Sequence, residues 1–154
     1  MDEARQVILW LITLGKRLAT AESCTGGLLG KLLTDVPGSS AAYLGGVVTY
    51  SYEAKQRLLG IDPGVLERDG AVCETVALQM ATGIRERLAA DFGIGITGNA
   101  GPGTDPMNSK VGEIYVACAY DGGCVCKKLE LTGDRTQNRE ASCRAALNLL
   151  LEIG

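Results

Sequence analysis

The chain has 154 residues, 46% of them hydrophobic and 21% charged, with a net charge of −3 from 15 basic and 18 acidic side chains. That is room for one domain with a substantial core, and it excludes the basic footprint of a nucleic-acid-binding protein, since no basic run is longer than the Lys127-Lys128 pair. One Trp and one Phe leave little for base stacking, and the absence of histidine excludes Ser-His-Asp triads, Cys-His dyads and His-ligated metals.

The acidic start Met1-Asp2-Glu3 is unlike a signal peptide, and the apolar run over 7–14 is too short for a membrane span. The expected location is therefore cytoplasmic, with reduced thiols and no membrane partner. Cysteines at 24, 73, 118, 124, 126 and 143 include one C-x-C and no C-x-x-C, so no metal site is expected and they read as small buried hydrophobes.

Residues 4–15 carry Val7, Ile8, Leu11 and Ile12 at helical spacing, closed by Gly15. A short strand over 18–21 runs into the turn Glu22-Ser23-Cys24-Thr25-Gly26-Gly27, which opens a second helix. Leu28, Leu29, Leu32, Leu33 and Val36 give that helix one apolar face, and Pro37-Gly38 stops it. The segment 43–50 is strand-like around Val47, Val48 and Thr49. Ser51 starts a short helix through Leu59, closed by Gly60, and Asp62-Pro63-Gly64 begins another helical turn. A long helix over 74–92 aligns Ala77, Met80, Ala81, Ile84 and Leu88 along one stripe. Next come a buried strand over 93–97 and a loop over 98–110 rich in Gly, Pro, Asn and Asp. A hairpin of 111–120 with 124–131 turns at Asp121-Gly122-Gly123, and Asp134 caps a last helix reaching Ile153. Without linker or repeat, this interleaving predicts one α/β domain over 1–154, a mixed β-sheet covered by helices on both faces.

Four segments are candidates for chemistry. Ser23 sits on a strand-to-helix turn, where unpaired amides and the helix dipole favour a developing oxyanion. The plainer reading is an N-cap, although Thr25 can cap equally well. Cys24 is a rival nucleophile, and phosphate binding at that helix start is a third reading. Gly30-Lys31 is no Walker motif, because Leu32 stands where Ser or Thr must bind magnesium.

In Tyr50-Ser51-Tyr52-Glu53-Ala54-Lys55, with Ser51 as N-cap, Tyr50 and Lys55 occupy the two positions that meet in a hydrophobic staple. Burial and the helix dipole would lower such a lysine to about 7–8 and make it a general base; the alternative is a solvated lysine whose stem packs on Tyr50. The loop from Thr97 and Gly98 through Asn99, Ala100 and Gly101 follows a strand, where α/β sheets bind ligands. Its glycines do not follow G-x-G-x-x-G. Finally, Asp134 and Gln137 have capping-box spacing, which puts Arg135 in a helix's first turn beside an anion site or simply in solvent; Arg139 is an alternative anion partner.

The stretches TAESCTGGLLGKLLTDVPGSS, GGVVTYSYEAKQRLLGI, GAVCETVALQMA, GIGITGNAGPGT, KVGEIYVACA and TGDRTQNRE resemble the C-terminal domain of the competence/damage-inducible protein A (CinA) family. The resemblance runs from Thr20 to Glu140 in the family's order. It implies a nicotinamide mononucleotide deamidase, an amidohydrolase that needs no cofactor. Ser23 would be the nucleophile, Lys55 its base and Tyr50 a hydroxyl supporting the pair. The turn Cys24, Thr25, Gly26 and Gly27, the loop around Thr97 and Gly98, and an arginine near Arg135 would hold the nucleotide.

Two positions depart from the family pattern. Cys73 replaces a serine expected to cap the long helix, and Asn99 replaces an apolar residue, a change that would alter ligand fit. The larger second domain of many members is not represented, so the sequence resembles the stand-alone form. A non-catalytic pyridine-nucleotide-binding module and an amidase with another substrate are the competing expectations. A homo-oligomer, a dimer, is expected by family analogy alone.

Overall fold

Alternation along five short strands decides which side chains meet which helices. The computed structural model describes residues 2–154, so Met1 lies outside the described residues. In chain order the elements are α1 (Asp2–Leu14), β1 (Leu18–Glu22), α2 (Leu28–Thr34), a 3-10 turn (Ser39–Ala41), β2 (Tyr43–Val48), α3 (Tyr52–Leu59), α4 (Pro63–Asp69), α5 (Glu74–Arg87), β3 (Phe92–Gly98), β4 (Glu113–Tyr120), β5 (Gly123–Glu130) and α6 (Arg135–Ile153). The sheet order is β2-β1-β3-β4-β5; β2, β1 and β3 run parallel, and β4 and β5 complete the sheet antiparallel.

On one face Leu18, Ile94, Ile96, Ile114 and Val116 pack against Val7, Ile8 and Leu11 of α1, Leu29 and Leu33 of α2, and Leu147 and Leu150 of α6. On the other, Ala19 and Ala21 meet Leu59, Leu66, Val76, Met80 and Ile84 from α3, α4 and α5. Each large aliphatic side chain so buried stabilises the fold by about 1.5–3 kcal/mol. Small residues let α5 lie close to the sheet: Ala77 and Ala81 face Ala117 and Ala119, and a Cβ on Gly95 would stand only 2.7 Å from the Ala77 carbonyl oxygen. The mixed sheet with helices on both faces is thus the architecture expected from the sequence.

Several boundaries differ. The long helix stops at Arg87, not at 92. Leu88 caps it, Ala89 takes the left-handed conformation (φ 51°), and the amides of Ala89 and Ala90 return to the carbonyls of Glu86 and Arg85. This is a Schellman ending with alanine where glycine is usual, so no glycine marks it. Phe92 instead opens β3 and stacks at a tilt on Trp10, with ring centroids 5.6 Å apart. Strand β2 ends at Val48, leaving Thr49 to Ser51 as the turn into α3. Strand β4 begins after Gly112 (φ 86°), and Gly123 belongs to β5, so the hairpin turn is Asp121-Gly122 alone.

All six cysteines are free. Cys24, Cys118 and Cys143 are buried, but Cys73, Cys124 and Cys126 are only half-buried, which limits the buried-hydrophobe reading to the first three. Cys73 occupies the N-cap of α5 without a side-chain capping bond. Cys73→Ser is expected to supply that bond and raise stability by about 1 kcal/mol, read as a higher urea midpoint; an unchanged midpoint would mean the α5 amides are already satisfied.

Candidate active site

Ser23 follows β1 directly, and its amide donates to the Ile96 carbonyl of β3 (3.0 Å), which fixes the residue between two parallel strands at their carboxyl ends. Lys55 lies one turn into α3, whose N-cap Ser51 accepts from the Ala54 amide. From there its side chain turns inward and is 1% exposed. Lys55 Nζ stands 2.8 Å from Ser23 Oγ and 2.6 Å from the Thr49 carbonyl oxygen. Burial pushes the amine down from 10.5 to about 8, while Cys24 and Asp105 pull it weakly upward. Both residues line a pocket of about 300 Å³.

The turn after Ser23 is built differently from the sequence expectation. Helix α2 starts at Leu28, and its N-cap Gly27 offers no side chain. The cap is Glu22, 2% exposed: its carboxylate accepts from the Leu29 amide (2.9 Å), the Gly30 amide (3.1 Å) and the Thr25 hydroxyl (2.7 Å). Neither Ser23 nor Thr25 caps the helix, and its N-terminus is not open to phosphate, because an anion of the protein's own already fills it. Gly26 and Gly27 take left-handed φ values of 58° and 100°, which explains the glycine pair as turn chemistry. Cys24, the rival nucleophile, has its thiol pushed up to about 11 by burial, which disfavours the reactive thiolate.

Of the other sequence-identified residues, Cys24, Tyr50, Thr97, Gly98, Asn99, Ala100 and Arg135 line the pocket, whereas Thr25, Gly26, Gly27, Gly101 and Arg139 do not. Arg139 is held by the turn, donating to the carbonyls of Cys24 (3.1 Å) and Thr25 (2.8 Å), so two of its donors are engaged by backbone. Tyr50 does not pair with Lys55 as the staple spacing suggested. It is 64% exposed, and its hydroxyl accepts from Arg135 (3.2 Å), which also donates to the Gly101 carbonyl (2.8 Å). The lysine goes to the serine because the Thr49 carbonyl and Ser23 Oγ offer partners inside the fold. Arg135 itself follows the expected capping box of Asp134 and Gln137.

Asn99 has a structural explanation. Its buried amide donates to the carbonyls of Asn108 (3.0 Å) and Lys110 (3.1 Å) and accepts from the Asp105 amide (2.8 Å), knitting the loop together across its width. The polar atoms of its side chain are thus engaged by the loop, although the residue lines the pocket. At the loop's base Glu113 accepts from the side chains of Asn108 and Tyr115. Tyr52 and Asp105 line the pocket as well and were not singled out from sequence; an acid inside a glycine-rich loop after a strand was the available signal.

Among the described residues no helix is long and apolar enough to cross a membrane. A pocket at the strand ends holding a buried lysine amine bonded to a serine hydroxyl defines the class: an α/β protein with a buried serine–lysine pair at the carboxyl end of its sheet. The particular family is given by comparison, since the CinA C-terminal domain model matches residues 2–153, and the chain belongs to that family. It is 49% identical over 136 residues to a CinA-like protein of Mycobacterium marinum, covering 88% of this chain and 32% of that one. A second CinA-like protein, from Acidobacterium capsulatum, is 42% identical over 150 residues. The chain spans about a third of the length of the curated relatives it matches. Among solved structures, the competence/damage inducible protein CihA from Agrobacterium tumefaciens superposes with a TM-score of 0.94 at 39% identity, over 98% of this chain and 93% of that one. A CinA superfamily protein from Escherichia coli gives 0.95 at 35% identity, over 99% and 89%.

Proposed function

We propose that this protein is an amidohydrolase that converts nicotinamide mononucleotide to nicotinate mononucleotide and ammonia. The observation that carries the reading is the buried Lys55 Nζ, 2.8 Å from Ser23 Oγ, with an amine lowered to about 8. Neutral Lys55 gives one N–H to the Thr49 carbonyl, which aims its lone pair at the serine. It takes the Ser23 proton as Oγ attacks the amide carbon. The Cys24 amide, which donates to no carbonyl among the described residues, is available for the oxyanion. The carbon–nitrogen bond breaks as Lys55 returns the proton to the leaving nitrogen, releasing ammonia and leaving an ester on Ser23. Water then attacks that ester, giving a proton to Lys55; the bond to Oγ breaks and Lys55 reprotonates the serine. Arg135 is assigned to the phosphate, being the cation of the pocket with no carboxylate partner. Tyr50 is assigned to orienting Arg135 through its hydroxyl. A cytoplasmic location, read from the acidic N-terminus and the short apolar run over 7–14, belongs to the same reading, and a homodimer is added by family resemblance alone.

Ammonia release from nicotinamide mononucleotide, without added metal, tests the proposal. Wild type is expected to turn over, Ser23→Ala to lose activity by about a thousandfold or more, and kcat/KM to rise with pH through about 8 as the amine deprotonates. Tight binding without ammonia release would leave a nucleotide-binding module in place of an enzyme, and full activity in Ser23→Ala would remove Ser23 as nucleophile.

A further inference from the structure

Apart from the catalytic lysine, two side chains bring charge to the pocket, Asp105 and Arg135. Neither joins an ion pair among the described residues. Each is held by a tyrosine flanking Ser51, the N-cap of α3: Tyr52 donates its hydroxyl to Asp105 Oδ1 at 2.7 Å, and Arg135 donates to the Tyr50 hydroxyl at 3.2 Å. Their other bonds go to backbone, the Met107 amide donating to Asp105 Oδ2 at 3.1 Å and Arg135 donating to the Gly101 carbonyl at 2.8 Å. The carboxylate and the guanidinium are therefore positioned but not neutralised. Asp105 lies beside Gly70 at the end of α4, and Arg135, at the start of α6, donates to the Gly101 carbonyl.

A carboxylate is an unfavourable lining for a site that takes an anionic nucleotide. It repels phosphate, and it pulls the Lys55 amine upward, against its use as a base. Both costs are offset if the ligand carries a positive charge near the reacting carbonyl. We infer that Asp105 is a specificity-determining residue that recognises the cationic ring of an N-alkylated pyridinium carboxamide, so that the pocket matches a zwitterion, ring on Asp105 and phosphate on Arg135. The inference rests on the reading of a pyridine nucleotide as substrate and adds the charge state of its ring: oxidised pyridinium, not the neutral dihydropyridine of the same shape.

The test uses the full chain carrying Ser23→Ala, so that ligand persists, and calorimetric dissociation constants for nicotinamide mononucleotide and its neutral 1,4-dihydro form. Adding Asp105→Asn is expected to weaken the cationic nucleotide about tenfold, as loss of one partly solvated charge contact requires, and to leave the neutral form within twofold. Adding Tyr52→Phe instead keeps the carboxylate, and the preference for the cationic form is expected to survive. Equal weakening of both ligands by Asp105→Asn would make Asp105 a loop-folding residue and overturn the inference, as would no change in either. If neither nucleotide binds with Asp105 intact, the pyridine-nucleotide reading itself fails and takes this inference with it.

Discussion

Lys55→Met is expected to abolish turnover, by about a thousandfold or more, and to change the pH dependence of folding stability by roughly 3 kcal/mol. Methionine keeps the apolar stem and removes the amine. In the folded protein that amine is lowered from 10.5 to about 8, while the unfolded chain keeps the ordinary value. Between those two pH values the unfolded state binds more protons, so wild-type stability rises with pH across the window. Below about 8 the fold bears the full cost of holding a buried ammonium. The two hydrogen bonds to Thr49 and Ser23 return about 1 kcal/mol each. At pH 7 the variant is therefore expected to be more stable than wild type by about 1 kcal/mol, and above pH 10.5 less stable by about 2 kcal/mol. Urea unfolding of both proteins at the two ends of the window reads the difference. A gap between them that does not move with pH would mean that Lys55 is not perturbed, and the general-base role would go with it.

The contrast between a buried amine and its apolar surroundings also marks which parts of the molecule were legible in the sequence. The helices and strands were, because Leu and Ile repeat at 3.6 or 2 along both faces of one sheet. The α3 cap and the Asp134–Gln137 capping box were, because short polar side chains at fixed spacing leave the backbone few other partners. The end of α5 was not, since Ala89 adopts a backbone conformation that glycine usually announces. In the site, a turn serine and an N4 lysine were visible as separate candidates. Their pairing was implied by the family resemblance and not by local spacing, because it depends on how the ends of β1 and β2 align: Glu22 pairs with Val48, and the Thr49 amide extends that pairing to the Glu22 carbonyl. The same limit hid the partners of Tyr50 and Arg139, which lie 85 and 114–115 residues away in the chain. Local spacing identified the residues but not the pairs they form.

Glu22→Ala is expected to destabilise the fold by about 3–5 kcal/mol and to lower kcat even where the protein still folds. The carboxylate is buried, and of its three donors the Thr25 hydroxyl and the Leu29 amide are buried with it, while the Gly30 amide is half-buried. Its negative charge also complements the positive end of α2, so the substitution removes a cap, a dipole partner and a side-chain bond together. Thr25→Val is the graded control: it deletes one donor, leaves the carboxylate on the two amides, and is expected to cost about 1 kcal/mol. Ser23 sits between Glu22 and Thr25, so loosening this turn shifts the proposed nucleophile relative to Lys55, and small misplacements of reacting groups are costly. The kcat loss is therefore expected to follow the stability loss in order, Glu22→Ala beyond Thr25→Val, measured where both variants are fully folded. Activity unchanged in a folded Glu22→Ala variant would mean that the strand-end position of Ser23, anchored by its own amide on Ile96, suffices to place the nucleophile and that the turn serves stability alone.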